Sequence, residues 1–90
     1  MVNYHLTITG RVQGVGFRGS TLMLARQMKL TGYVANLVDG SVYVEVQGNQ
    51  DVVKAFINKM CDGPTPYARV DHVDVKQANL SHYDDFTVRF

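Results

Sequence analysis

The chain has 90 residues, of which 46% are apolar and 19% charged, and nine Lys or Arg stand against eight Asp or Glu for a formal net charge of +1. A chain of this length holds one core, so a single domain over residues 1-90 is expected. The near balance of charge offers no broad basic field to a nucleic acid backbone or an anionic membrane, and any anion has to be gripped locally.

The N-terminus, Met1-Val2-Asn3-Tyr4-His5, has neither the basic nor the apolar region of a signal peptide. No apolar run approaches the roughly 18 residues of a membrane span. Tyr4, Leu6 and Ile8 alternate with His5, Thr7 and Thr9, the two-residue period of a half-buried strand. Gly10, Gly14, Gly16 and Gly19 then crowd one short stretch, which reads as a loop rather than a regular element. Ser20 to Lys29 is rich in helix formers, with Thr21, Leu24, Ala25 and Met28 on one face, and Gly32 suits the turn that follows.

Tyr33-Val34-Ala35 opens a strand, and Ser41 to Gln47 is another, with Val42, Val44 and Val46 on one face. Asp39-Gly40 between them favours a tight hairpin turn. Asn49 suits a helix N-cap, and Val52, Val53, Phe56, Ile57 and Met60 follow at helical spacing until Gly63 and Pro64 stop the helix. Cys61, the single cysteine, permits no intrachain disulfide and no thiol metal cluster, and a small disulfide-free chain suits the reducing cytoplasm. Val70, Val73 and Val75 sketch a fourth strand whose alternation breaks near His72, and Phe86, Val88 and Phe90 make a last one. The order strand, helix, strand, strand, helix, strand, with a short strand added at the end, predicts an α+β ferredoxin-like sandwich. Its sheet would be mostly antiparallel, four- to five-stranded, with two helices on one face. That arrangement is a superfold and names no function.

The chemistry is concentrated in Gly10-Arg11-Val12-Gln13-Gly14-Val15-Gly16-Phe17-Arg18. Glycines let a backbone turn several N–H groups toward one point, and the following helix adds its unpaired first N–H groups and the positive end of its dipole. Arg18 brings a planar fork of donors that fits phosphate oxygens. Together these features describe a phosphate cradle. The plainer reading, a tight strand-to-helix turn beside a solvated arginine, would explain one Gly–Arg pair better than it explains four glycines and an arginine at a helix start. Gly14-Val15-Gly16-Phe17-Arg18-Gly19 also satisfies G-x-G-x-x-G, with Asp39 twenty residues beyond Gly19. A dinucleotide site is opposed by the Asp-Gly hairpin where a parallel crossover is required, and by a length too short for two nucleotide-binding halves.

The segment Gly32-Tyr33-Val34-Ala35-Asn36-Leu37-Val38-Asp39-Gly40-Ser41-Val42 completes a pair of motifs. Together with Gly10 to Arg18 it resembles the double signature of the acylphosphatases. The resemblance continues through Gly63-Pro64 and Ala68-Arg69-Val70 to the closing Phe86-Thr87-Val88-Arg89-Phe90, essentially the whole chain. It implies hydrolysis of acyl phosphates to a carboxylate and inorganic phosphate, with no metal and no cofactor. It also assigns residues. Arg18 matches the family's phosphate-binding arginine, Asn36 the asparagine that positions the attacking water, and the backbone N–H groups of Gln13, Gly14, Val15, Gly16, Phe17 and Arg18 the phosphate cradle. The expected partners are a small acyl phosphate, and phosphate or sulfate as a product-like ligand. No nucleic acid or membrane is expected, and the chain should act as a monomer.

Departures from the family pattern are Gly19 where a bulkier residue is common, Met28-Lys29-Leu30 for Leu-Gly-Leu, and Tyr33 for Trp. None touches Arg18 or Asn36. His5, His72 and His82 lack metal-ligand spacing and read as surface or strand residues. Tyr43 is an aromatic on a strand of the element order shared with RNA-binding sheets, but Ser41 to Val46 lacks the basic and paired aromatic pattern of such a strand. A non-enzymatic role is the stronger alternative, because acylphosphatase-like modules also occur within larger proteins that handle carbamoyl phosphate. A chain that starts at Met1 and ends with the family's last strand favours the free-standing enzyme.

Overall fold

The valine and leucine alternation of the sequence resolves into one five-stranded sheet in a computed structural model, which describes residues 1–89. In chain order the elements are β1 (Val2–Arg11), α1 (Phe17–Gln27), β2 (Thr31–Asn36), β3 (Val42–Gly48), α2 (Gln50–Asp62), β4 (Arg69–Ala78) and β5 (Phe86–Arg89). The strands lie side by side as β4-β1-β3-β2-β5. All neighbours are antiparallel except β2 and β5, which run parallel with Val34 opposite Val88. This is the ferredoxin-like arrangement with a fifth strand. The expected placement of Phe90 in that strand lies outside the described residues.

Every second residue of the central strands faces the helices. Leu6 and Ile8 of β1, Val34 of β2 and Val42, Val44 and Val46 of β3 are all fully buried on that side. Helix α1 packs over β2 and β5, and α2 over β3 and β4. They contribute Phe17 and Ala25 from α1, and Val53, Phe56 and Met60 from α2. Phe56 meets Phe86 of β5 with ring centroids 6.3 Å apart. Each buried Val, Leu, Ile, Phe or Met among them stabilises the fold by about 1.5–3 kcal/mol relative to exposure. Asn49 caps α2 as expected, its side chain accepting from the Asp51 N–H at 3.0 Å.

Local expectations need correction at four places, and the predicted break near His72 finds its cause; the first is Gly32, which lies not in a turn but within β2, opposite Val46 of β3 and Phe86 of β5. Strand β1 runs on to Arg11, so Gly10 is a strand residue. A Cβ at Gly10 would stand 2.1 Å from the Arg69 carbonyl oxygen of β4, a close approach that only glycine permits. Helix α1 starts at Phe17, three residues before Ser20, because burial of Phe17 in the core draws the first turn in. The β2–β3 hairpin is wider than a two-residue turn: the Gly40 N–H donates to Leu37 O, the Leu37 N–H donates to Ser41 O, and only Gly40 takes a positive φ, of 95°. The break near His72 is a β-bulge, since Thr9 pairs with His72 but Gly10 pairs with Val70, which leaves Asp71 as the additional residue.

The face of the sheet away from the helices carries a second organised cluster. The Glu45 carboxylate accepts hydrogen bonds from the hydroxyls of Tyr33 at 2.9 Å, Tyr43 at 2.7 Å and Tyr83, and His5 Nε2 lies 3.5 Å away. Gln47, two residues on, donates to Ser81 O at 2.9 Å and accepts from the Ser81 N–H at 2.8 Å. Glu45 and Gln47 thereby fasten the segment between β4 and β5 across the sheet. Burial alone would raise the Glu45 carboxyl, but the Tyr83, Tyr43 and Tyr33 hydroxyls, with His5, outweigh it and hold it below its ordinary value. The three phenols are pushed up, first by burial and then by Glu45.

The signs set a stability window. A carboxyl that titrates lower in the folded chain contributes stability that is present above the unfolded value of 4.5 and is lost as pH falls through the folded one. Phenols raised above 10.0 stay protonated in the folded chain while the unfolded chain ionises, so stability falls as pH rises beyond that point. Thermal melting should therefore be flat between these limits and fall on both sides. Glu45→Gln should lower stability at pH 7 by about 1–3 kcal/mol, the worth of hydrogen bonds to a charged acceptor, and shrink the further loss on going to pH 4. An acid loss equal to that of the wild type would show that Glu45 does not carry it.

Candidate functional site

Where β1 ends, the chain turns through Val12 to Gly16 into α1. Gly14 and Gly16 have φ of 74° and 78°, the left-handed region that costs other L-residues about 1–2 kcal/mol. A Cβ at either position would meet nothing within 4 Å, so it is the backbone conformation and not crowding that demands glycine there. Left-handed residues at alternate positions are the geometry by which successive N–H groups converge on an anion.

Gly16 is also the N-cap of α1. It gives its helix no side-chain hydrogen bond, and the first turn holds no acidic residue. The contrast with Asn49 on α2 is informative. At α1 no side chain caps the first N–H groups, whereas at α2 the Asn49 side chain satisfies one of them.

Two side chains hold the loop from behind. Gln13 donates through Nε2 to Leu37 O at 2.8 Å and to Ser41 O at 2.9 Å, which straps the loop to the hairpin next to Asn36. Thr65, in the segment after α2, donates its hydroxyl to Val15 O at 3.4 Å and accepts from the Tyr67 N–H at 3.4 Å. Turning the Val15 carbonyl toward Thr65 keeps it from facing an anion in the loop.

The loop borders a cleft of about 340 Å³. Gln13, Gly14, Gly16, Phe17 and Arg18 of the predicted cradle line it, and so does Asn36. Arg18 stands in the first turn of α1. Asn36 is the last residue of β2, and the two-residue period places it on the helix side with Val34. The structure thus brings together the two side chains that the sequence singled out. Val15 is not among the lining residues; its side chain packs against the hydrophobic core.

Asn36 Oδ1 is buried and has no hydrogen-bond partner. An orphaned buried acceptor costs about 1–3 kcal/mol unless a water or ligand satisfies it. Asn36 borders a cleft that also holds a cation and a helix N-terminus. Among the described residues, Arg18 is the one charged side chain lining the cleft, and no Asp, Glu, His or Cys side chain of theirs lines it. No group of three or more His, Cys, Asp or Glu among the described residues is placed to hold a metal ion.

The dinucleotide alternative fails on topology. Strand β3 lies between β1 and β2, so no adjacent parallel pair flanks the glycine loop. The Asp39 carboxylate is occupied by the Ser41 N–H at 2.9 Å and the Ser41 hydroxyl at 2.6 Å, which hold it below its ordinary value. Two contributors to the site escaped the sequence reading. Val88 comes from β5 and Thr65 from the α2–β4 connection, and each reaches the site only through the tertiary fold.

Comparison with known proteins agrees with this geometry. The sequence model of the Acylphosphatase family matches residues 4–88. An acylphosphatase of Ligilactobacillus salivarius is 40% identical over 90 residues, the full length of both chains. The crystal structure of acylphosphatase from Bacillus subtilis superposes with a TM-score of 0.95 at 32% identity, covering 100% of each chain. Full-length HypF in its phosphate- and nucleotide-bound form contains a similar unit, with a TM-score of 0.92 and 30% identity over 99% of this chain and 12% of that one.

Proposed function

The chain belongs to the acylphosphatase family, it hydrolyses the carboxyl–phosphate bond of acyl phosphates, and from that premise we propose which of its groups do the work. The backbone N–H groups of Gln13, Gly14, Val15, Gly16, Phe17 and Arg18 hold the phosphoryl oxygens, and the Arg18 guanidinium neutralises the charge they carry in the transition state. Asn36 orients a water through Oδ1. That Asn36 and Arg18 line one cleft together carries this reading.

Asn36 has no useful basicity, so it places the nucleophile without deprotonating it. The water oxygen forms its bond to phosphorus as the bond to the acyl oxygen breaks, and the bonding pair leaves with the carboxylate. The water's proton passes to a phosphoryl oxygen of the substrate. A carboxylate is a good leaving group, so positioning and charge stabilisation suffice.

The reading extends to the chain's surroundings. The whole of residues 1-90 acts as one domain, as a monomer, and needs neither metal nor cofactor. Inorganic phosphate or sulfate occupies the cradle as a product-like ligand. No helix among the described residues is long and apolar enough to cross a membrane. The exposed Cys61 thiol suits the reducing cytoplasm.

Release of phosphate from benzoyl phosphate, measured with a chelator present, tests the proposal. Turnover is expected to persist, with kcat at saturating substrate following the substrate's own ionisation. A folded protein that binds phosphate without turnover would defeat the reading. So would a kcat profile governed near neutrality by an enzyme group.

A further inference from the structure

A cleft of about 340 Å³ lies at the lower end of the sizes found for small-molecule sites. A phosphate held by the loop and the first turn of α1 takes up its floor. What remains is bounded by Val88, half-buried on β5, and by Gly19, exposed on α1. Gly19 differs from the other glycines of this region. Its φ is not positive, and a Cβ there would meet nothing within 4 Å. Neither backbone conformation nor packing accounts for glycine at this position, and in a helix it costs about 1 kcal/mol relative to alanine. Among the described residues, its consequence is open space on the wall beside Arg18 and Val88.

We propose that Gly19 opens the acyl side of the site, so that the preferred substrates are acyl phosphates whose acyl group is bulky and apolar, aromatic or branched, lying along Val88 and Gly19. The inference rests on the hydrolase reading above. Charge points the same way as shape. Among the described residues, Arg18 is the one charged residue lining the cleft, and the phosphate engages it, so an acyl group carrying a second carboxylate would find no second cation among them. An apolar group there gains by leaving water against Val88.

The test compares kcat/KM for benzoyl phosphate and acetyl phosphate in the wild type, Gly19→Ala and Gly19→Leu. Both substitutions favour a helix, so melting temperatures at or above that of the wild type are expected. The wild type should prefer benzoyl phosphate. Gly19→Leu should lower the benzoyl-to-acetyl ratio at least tenfold, and Gly19→Ala by much less. An unchanged ratio in Gly19→Leu, or a wild type that prefers acetyl phosphate, would overturn the inference while leaving the hydrolase reading intact. A parallel fall for both substrates with weaker inhibition by inorganic phosphate would also overturn it, because the leucine would then be blocking the cradle. If the folded wild type turned over neither substrate, the hydrolase reading itself would fall, and the inference with it.

Discussion

Arg18→Ala is expected to lower kcat/KM for benzoyl phosphate by roughly a thousandfold or more. Loss of one preorganised donor costs on the order of a hundred- to a thousandfold, and a cation that meets transferring phosphoryl oxygens is worth at least that. Both kinetic parameters should suffer. The guanidinium binds the phosphate of the bound substrate as well as the transition state, so KM rises and kcat falls. Inhibition by inorganic phosphate should weaken in step with KM. Arg18→Lys should recover part of the affinity and little of kcat, because an ammonium restores charge without the planar fork. A wild-type inhibition constant for phosphate in Arg18→Ala would remove Arg18 from the cradle.

Asn36→Ala should behave differently. Its kcat is expected to fall on the order of a hundredfold or more, with phosphate inhibition nearly unchanged, because Asn36 meets the water and not the phosphoryl group. Stability supplies a second readout. The buried, unpartnered Oδ1 is a burden on the free protein, and its removal should leave the melting temperature unchanged or higher. Lower activity with undiminished stability would distinguish a functional asparagine from one that merely packs. Near-full activity in Asn36→Ala would end the water-positioning role.

The two residues reach the cleft by different routes. Arg18 comes with the glycine loop, on the same short stretch of chain. Asn36 arrives from the end of β2, and it is the sheet that brings it alongside. That both were legible in the sequence reflects their motifs. Gly14 and Gly16 are needed for a left-handed backbone, and such a need is local and readable. The helix-facing valines of β3 and the Asn49 cap were readable for the same reason, since a two-residue period and an N-cap are properties of adjacent residues.

The features that escaped the sequence are those set by partners far along the chain. The start of α1 moved to Phe17 because the core, assembled from every element, takes up that ring. The bulge at Asp71 exists only because β4 must pair with β1 beside Gly10. His5, Tyr33, Tyr43, Glu45 and Tyr83 read singly as polar or aromatic strand and loop residues, yet they converge on one carboxylate because β1, β2 and β3 lie side by side. Gln13, which the sequence offers for its backbone N–H, straps the loop through its side chain in the folded protein. Local backbone chemistry and the alternation of apolar residues were thus enough to place the glycine loop, the arginine beside it and the sheet. The walls of the cleft at Val88, the support from Thr65 and the tie across the open face were decided by strand order, because contacts between residues distant in sequence form only once the sheet has set their register.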